Sequence, residues 1–185
     1  MRRKGFTLIE LSIVLVIIGL LVGGVLKGKS MIENAKQKRV KTDIDGTMAA
    51  VYSYQDKFGY LPGDDPTSRV GDLGATGCVG GDANGLFDTA AEALCAWQEM
   101  IGAGFISGNP GETTAAVAKK NPYGGSYDLN ASAENKNYIS TANIPADAAQ
   151  AIDTKYDDGV YNKGDIRADT DYNDTVTKRI SWYAF

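Results

Sequence analysis

Hydrophobic positions are distributed unevenly along this chain. Phe6 to Leu26 is a run of 21 residues in which Glu10 carries the only charge. About 20 apolar residues, each rising about 1.5 Å, span the hydrocarbon core of a bilayer, so the length fits one transmembrane helix. Beyond the run the pattern becomes periodic. Ile32, Val40, Ile44, Met48, Val51, Tyr54 and Phe58 recur at intervals that suit one helical face, Ala35 fills the longest gap, and Lys36, Arg39, Asp43 and Asp56 fall opposite. The two stretches predict one helix from Phe6 to Phe58, about 80 Å long at about 1.5 Å per residue. Its first half is apolar on all sides and its second is amphipathic. Gly59 and Pro62 in "FGYLPGDD" supply the stop.

Residues 60–87 are rich in glycine and aspartate and read as loop. "DTAAEALCAWQEMIGAGFI" at 88–106 predicts a second helix, with Asp88 near its start and Leu94, Trp97, Ile101 and Phe105 on one face. Trp97 reads as core. A third helix is expected to begin at Pro145 and run through "ADAAQAID", since proline suits the first helical position. The segments "GSYDL", "NYIST", "GVYNK" and "TVTKRISWYAF" are rich in β-branched and aromatic residues and read as strands. The economical layout is α+β: a small antiparallel sheet laid on the second half of the long helix. The segments are then 1–5 as a leader, 6–26 as the membrane helix, 27–58 as its amphipathic continuation and 59–185 as a globular domain.

Charge and composition narrow the function classes. The formal charge is −4 and histidine is absent, which excludes Ser-His-Asp triads, Cys-His dyads and His-ligated zinc or haem. The acidic balance argues against a broad nucleic-acid surface. Cys78 and Cys95 are expected to form a disulfide if the globular part lies outside the cytoplasm; buried thiols are the alternative, and the glycine-rich loop between them, with little core of its own, favours the bridge. "MRRKG" places a basic cluster directly before the apolar run, so the positive-inside bias points to a cytoplasmic N-terminus. Lys27, Lys29, Lys36, Lys38, Arg39 and Lys41 follow the run and oppose that orientation. No small-residue cleavage site follows the run, so the helix is expected to stay attached as an anchor.

Glu10 demands a partner. A carboxylate at the centre of a span costs roughly 2.5 kcal/mol or more on insertion scales, and less near an end. No cation inside the span can reach it.

"GFTLIE" at 5–10, with a basic leader before it and an apolar helix after it, resembles the N-terminus of type IV prepilins and secretion pseudopilins. "YSYQDKFGYLPGD" is similar to the helix exit of many of these subunits, and "NPYGGSYDL" at 121–129 is more faintly similar to a pseudopilin segment. The resemblance implies a type IV pilin-like fold and a structural subunit without catalytic residues. It implies cleavage after Gly5 by a membrane-embedded prepilin peptidase, methylation of the new N-terminus at Phe6, and polymerisation through the helix with other pilin-like subunits. An inner-membrane platform and its ATPase would drive assembly, in a pilus or in type II protein secretion. The precursor would sit in the bacterial inner membrane with its globular domain in the periplasm. Cleavage creates an ammonium at Phe6, and Glu10 would pair with that group on a neighbouring subunit. Many family members carry proline near the end of the apolar run, where Lys27 and Gly28 stand here. Gly19, Gly23, Gly24 and Gly28 offer helix loosening or close helix contacts in its place.

Two acidic stretches could hold a cation. "GGDANG" at 80–85 offers Asp82 and Asn84 but lacks the first aspartate and the distal glutamate of a calcium loop. "KYDDGVYNKGDIRADTDYND" offers Asp157, Asp158, Asp165, Asp169 and Asp171. Calcium suits such oxygen ligands, and some pseudopilins bind it; solvated turns account for the same residues. Two other functions stay open. One is a low-copy minor subunit whose globular part binds DNA, a surface or a secreted substrate. The other is a membrane-anchored enzyme using its aspartates.

Overall fold

The long helix is present. In the computed structural model, which describes residues 5, 7–66, 69, 72–74, 76–78, 80–111, 118–173 and 176–183, α1 runs unbroken over Leu8–Phe58. Gly19, Gly23, Gly24 and Gly28 lie within it, with no atom near the position a Cβ would take. Gly59 ends it in the left-handed region at φ 82°, donating to the Gln55 carbonyl at 2.8 Å.

The chain divides into two compact units, Met1–Lys36 and Gln37–Phe185. In the first, every residue from Leu8 to Leu26 is exposed, and α1 is long and apolar enough to cross a membrane.

In the second unit α1 supplies one wall of the core through Val40, Ile44, Ala50, Val51 and Tyr54. The periodic face read from the sequence is buried only from Val40 onward, and Ile32 is 62% exposed because it precedes the packed unit. Asp43 departs from that reading. It lies three residues after Val40 and four before Thr47, so it falls on the buried stripe instead of the opposite one. Its carboxylate pairs with Lys119 at 2.7 Å and with Arg39 at 3.7 Å, and accepts the Tyr127 hydroxyl at 3.2 Å.

A second helix, α2, occupies Ala90–Gly102, behind a reciprocal cap in which Thr89 accepts the Glu92 N–H and Glu92 accepts the Thr89 N–H. The third, α3, spans Ala146–Tyr156 directly after Pro145. Strands β1 (Tyr127–Ala131), β2 (Asn137–Ile144), β3 (Ile166–Ala168) and β4 (Lys178–Trp182) form an antiparallel sheet in the order β1-β2-β4-β3. Register aligns Leu129, Ile139, Trp182 and Ile166 in one row, and Tyr127, Thr141, Ile180 and Ala168 in the next. Both rows face the core, while Asp128, Ser140, Ser181 and Arg167 form a row on the other face. The arrangement is the expected α+β, pilin-like one.

Three of the four strand segments hold strands, and "GVYNK" does not. Gly159 and Gly164 take φ of 76° and 66°, and Lys163 donates to the Val160 carbonyl, so the segment closes as a turn and the strand follows at Ile166.

The loop after α1 is more buried than its composition suggests. Asp64 and Asp65 are 1% and 0% exposed, and Arg69 pairs with Asp65 at 2.6 Å. Gly63 donates its N–H to Glu99 Oε2 at 2.7 Å, fastening the turn to α2. Cys78 and Cys95 are joined, with Cα atoms 5.4 Å apart across 17 residues. Such a closure contributes about 3 kcal/mol in the chain-entropy model.

Burial lifts the Glu99 carboxyl above its usual value of 4.5, against the Gly63 N–H, which acts to lower it. Between the unfolded and the raised folded value the native state holds a proton that the unfolded chain has released. This contribution is therefore favourable in acid and is lost as pH rises through that window. Glu99→Gln keeps an acceptor for Gly63 and removes the titration. Urea unfolding of both proteins across this range should show the variant gaining stability relative to wild type as pH rises. A constant difference would mean that Glu99 does not titrate differently on folding.

Candidate functional site

The N-terminal motif begins with local hydrogen bonding. Thr7 donates its N–H and its hydroxyl to Glu10 Oε2, both at 2.8 Å, and the Glu10 N–H returns to Thr7 Oγ1 at 3.3 Å. Leu11 then donates to the Thr7 carbonyl at 3.2 Å, the first turn of α1. This is a capping box, and its T-x-x-E signature is legible in "TLIE". Thr7 carries no charge, so beside Glu10 it does not stand out in the sequence. Gly5 is exposed and open on all sides. Phe6, the expected new N-terminus, lies outside the described residues. No cation pairs with Glu10 among the described residues. Glu10 therefore has its hydrogen bonds within one chain and no counter-charge among the described residues.

Of the acidic positions, Asp157 and Asp158 come together with Asp153, one oxygen from each lying within 4.8 Å of the others. Asp165 is not among the converging carboxylates; its backbone carbonyl accepts the Tyr183 N–H at 2.8 Å. Asp153 went unnoticed in the sequence, although it stands one helical turn before Asp157. It accepts the Tyr172 hydroxyl at 2.7 Å and the Gly159 N–H at 3.2 Å. Burial pushes its carboxyl above the usual aspartate range, and those two bonds oppose the shift. Asp157 and Asp158 accept the N–H groups of Ile166 and Val160, at 2.7 and 2.8 Å. These bonds shape the turn, as Asp and Asn side chains commonly do. Asp169 and Asp171 likewise accept backbone N–H groups, from Arg179 and Asn173.

"GGDANG" is also a turn builder. Asp82 accepts the Asn84 N–H at 3.1 Å, Asn84 accepts the Leu86 N–H at 2.7 Å, and Gly85 donates to Asp64 Oδ2 at 2.7 Å. The loop is held at its far side by Asn137, which accepts the Phe87 N–H and donates to the Gly85 carbonyl. Asp64, Asp82 and Glu92 thereby converge, again with one oxygen from each within 4.8 Å of the others.

Residues 1–26 match the family model described as the prokaryotic N-terminal methylation motif. Neither the curated proteins nor the solved structures contain a match to the chain. A basic leader in the sequence, a helix capped by Thr7 and Glu10, and an exposed apolar stretch long enough to enter a membrane thus coincide with a matched motif, and the first 26 residues carry a signal of the prepilin type found in type IV pilins and pseudopilins.

Proposed function

We infer that this chain is a structural subunit of a type IV pilus-type filament, in a pilus or in type II secretion. It is inserted as an inner-membrane precursor, cleaved after Gly5, methylated at Phe6 and polymerised through α1. Prepilin peptidase, other pilin-like subunits, and an inner-membrane platform with its ATPase are its partners. One observation carries this reading: α1 begins at Leu8, inside the matched signal, and runs unbroken to Phe58, and from Val40 onward its residues line the core of the globular unit. Apart from Glu10 its residues up to Leu26 carry no charge on any side, so they suit lipid before assembly and neighbouring helices after it. The Cys78–Cys95 bridge supports an extracytoplasmic globular part, against the cations that follow the span.

The test is the mass of the mature polypeptide, taken from membranes and from sheared filaments. It should begin at N-methylated Phe6 in both fractions and depend on the peptidase. A chain that still begins at Met1 in the filament fraction would end this reading.

A further inference from the structure

The convergence of Asp64, Asp82 and Glu92 includes a residue with a buried, unpaired carboxylate oxygen. Asp64 is 1% exposed and accepts the Gly85 N–H through Oδ2, while its Oδ1 has no hydrogen-bond donor among the described residues. Oδ1 faces the loop: a Cβ placed on Gly81 would lie 2.9 Å from it. A buried carboxylate oxygen left without a donor forfeits its hydration with nothing in return, and more so when it is charged. The side chains around it make matters worse. Asp82 adds negative charge beside Asp64, Asp88 does so beside Glu92, and no ion pair among the described residues engages Asp64, Asp82 or Glu92.

We propose that Asp64, Asp82 and Glu92 bind a calcium ion that ties the turn after α1 and the 80–85 loop to the start of α2. All three ligands are carboxylate oxygens, the donor type that hard divalent cations prefer. A separation of no more than 4.8 Å suits oxygens sharing one calcium, since two opposite each other stand about 4.6–5.2 Å apart at its usual bond lengths. Magnesium holds its ligands closer, at about 2.0–2.1 Å, and demands stricter geometry. Asp82 is exposed, so the ion enters with water from that side, and Asp64 forms the buried floor. The positive end of α2 opposes a cation, yet amounts to about half a charge against three carboxylates. Glu92 Oε2 already accepts the N–H groups of Asp88 and Thr89 there. The aspartate and glutamate that "GGDANG" lacks in sequence are thus supplied in space, by Asp64 and Glu92. The Cys78–Cys95 bridge spans the stretch that contains Asp82 and Glu92, which restricts the loop before the ion binds. The proposal stands apart from the processing and assembly of the N-terminus.

The experiment uses the full chain in detergent, stripped with chelator. Thermal unfolding and calorimetric titration are followed with calcium chloride, and with magnesium chloride for comparison. The expected result is one calcium bound per chain, a rise in Tm with calcium, and a smaller rise with magnesium. Asp82→Asn, an exposed change that leaves the fold intact, should weaken calcium binding at least about ten-fold, the loss that even an outer partner of a metal ligand causes. Asp64→Asn should abolish the calcium response yet match or exceed wild-type stability in chelator, because it removes the uncompensated charge. Asp158→Asn, in the other acidic cluster, should bind calcium as wild type does. The proposal is overturned by an unchanged Tm at millimolar calcium, which would leave a shared proton as the relief for Asp64. Binding that survives Asp82→Asn and disappears in Asp158→Asn would overturn it as well.

Discussion

Glu10→Gln is expected to yield a precursor that inserts and is cleaved normally, and filaments reduced at least about ten-fold. The two roles of Glu10 separate in this variant. Glutamine retains an oxygen that accepts the Thr7 N–H and hydroxyl, as Glu10 Oε2 does now at 2.8 Å, so the first turn of α1 is preserved. Only the charge is lost. In a filament packed through α1, the Phe6 ammonium of a neighbouring subunit would then be left without its counter-charge in a low-dielectric bundle. Breaking a buried pair by removing one partner costs about 3–5 kcal/mol, and each 1.4 kcal/mol is about ten-fold in an equilibrium. Loss of the cap alone costs about 0.5–2 kcal/mol, so Thr7→Val should reduce assembly far less. The measurement is the ratio of sheared to cell-associated mature chain by immunoblot. Full assembly of Glu10→Gln beside failure of Glu10→Ala would assign Glu10 to capping alone and remove the inter-subunit pair.

How much of this was legible follows from the range over which each signal acts. The 51-residue α1 announces itself because apolar run, helical period and glycine stop are local and agree. The capping box at Thr7 is equally local, but its signal is masked by the charge of Glu10, which belongs both to the cap and to the apolar run. Polarity puts Asp43 on the exposed face while its helical angle puts it on the buried one; the partner that makes its burial tolerable, Lys119, is 76 residues away. "GVYNK" has the composition of a strand, and two glycines at positive φ overrule it. Strand β3 has three residues, too few to show a period of two. The acidic group of Asp64, Asp82 and Glu92 was only one-third visible, as Asp82 in a glycine-rich loop. Its other members come from a turn and a helix that meet only through tertiary packing, with Gly63 at the point of contact.

Gly63→Ala is expected to be among the most damaging single changes to the globular unit, and Gly59→Ala is its control. Both glycines are left-handed, with φ of 80° and 82°, so alanine costs each about 1–2 kcal/mol. The surroundings differ. At Gly59 a Cβ would find nothing within 4 Å. At Gly63 it would strike the Glu92 carbonyl and lie 2.9 Å from the Ala96 nitrogen, both backbone atoms of α2 that no rotamer change can clear. Overpacking a close-packed site adds about 1–3 kcal/mol, for a total near 2–5 kcal/mol. At about 2–4 °C of Tm per kcal/mol for a chain of this size, Gly63→Ala should fall well below Gly59→Ala in melting temperature. Displacing the turn also stretches the bond from the Gly63 N–H to Glu99 Oε2, 2.7 Å in the native fold, and leaves a carboxylate that is 2% exposed without that donor. The loss should therefore grow as pH rises and Glu99 ionises. Asp64 follows Gly63 directly, so the same shift moves the floor of the calcium site, and the calcium-dependent rise in Tm should shrink in Gly63→Ala while persisting in Gly59→Ala. Equal destabilisation of the two variants would show that the turn and α2 are not in close contact at Gly63.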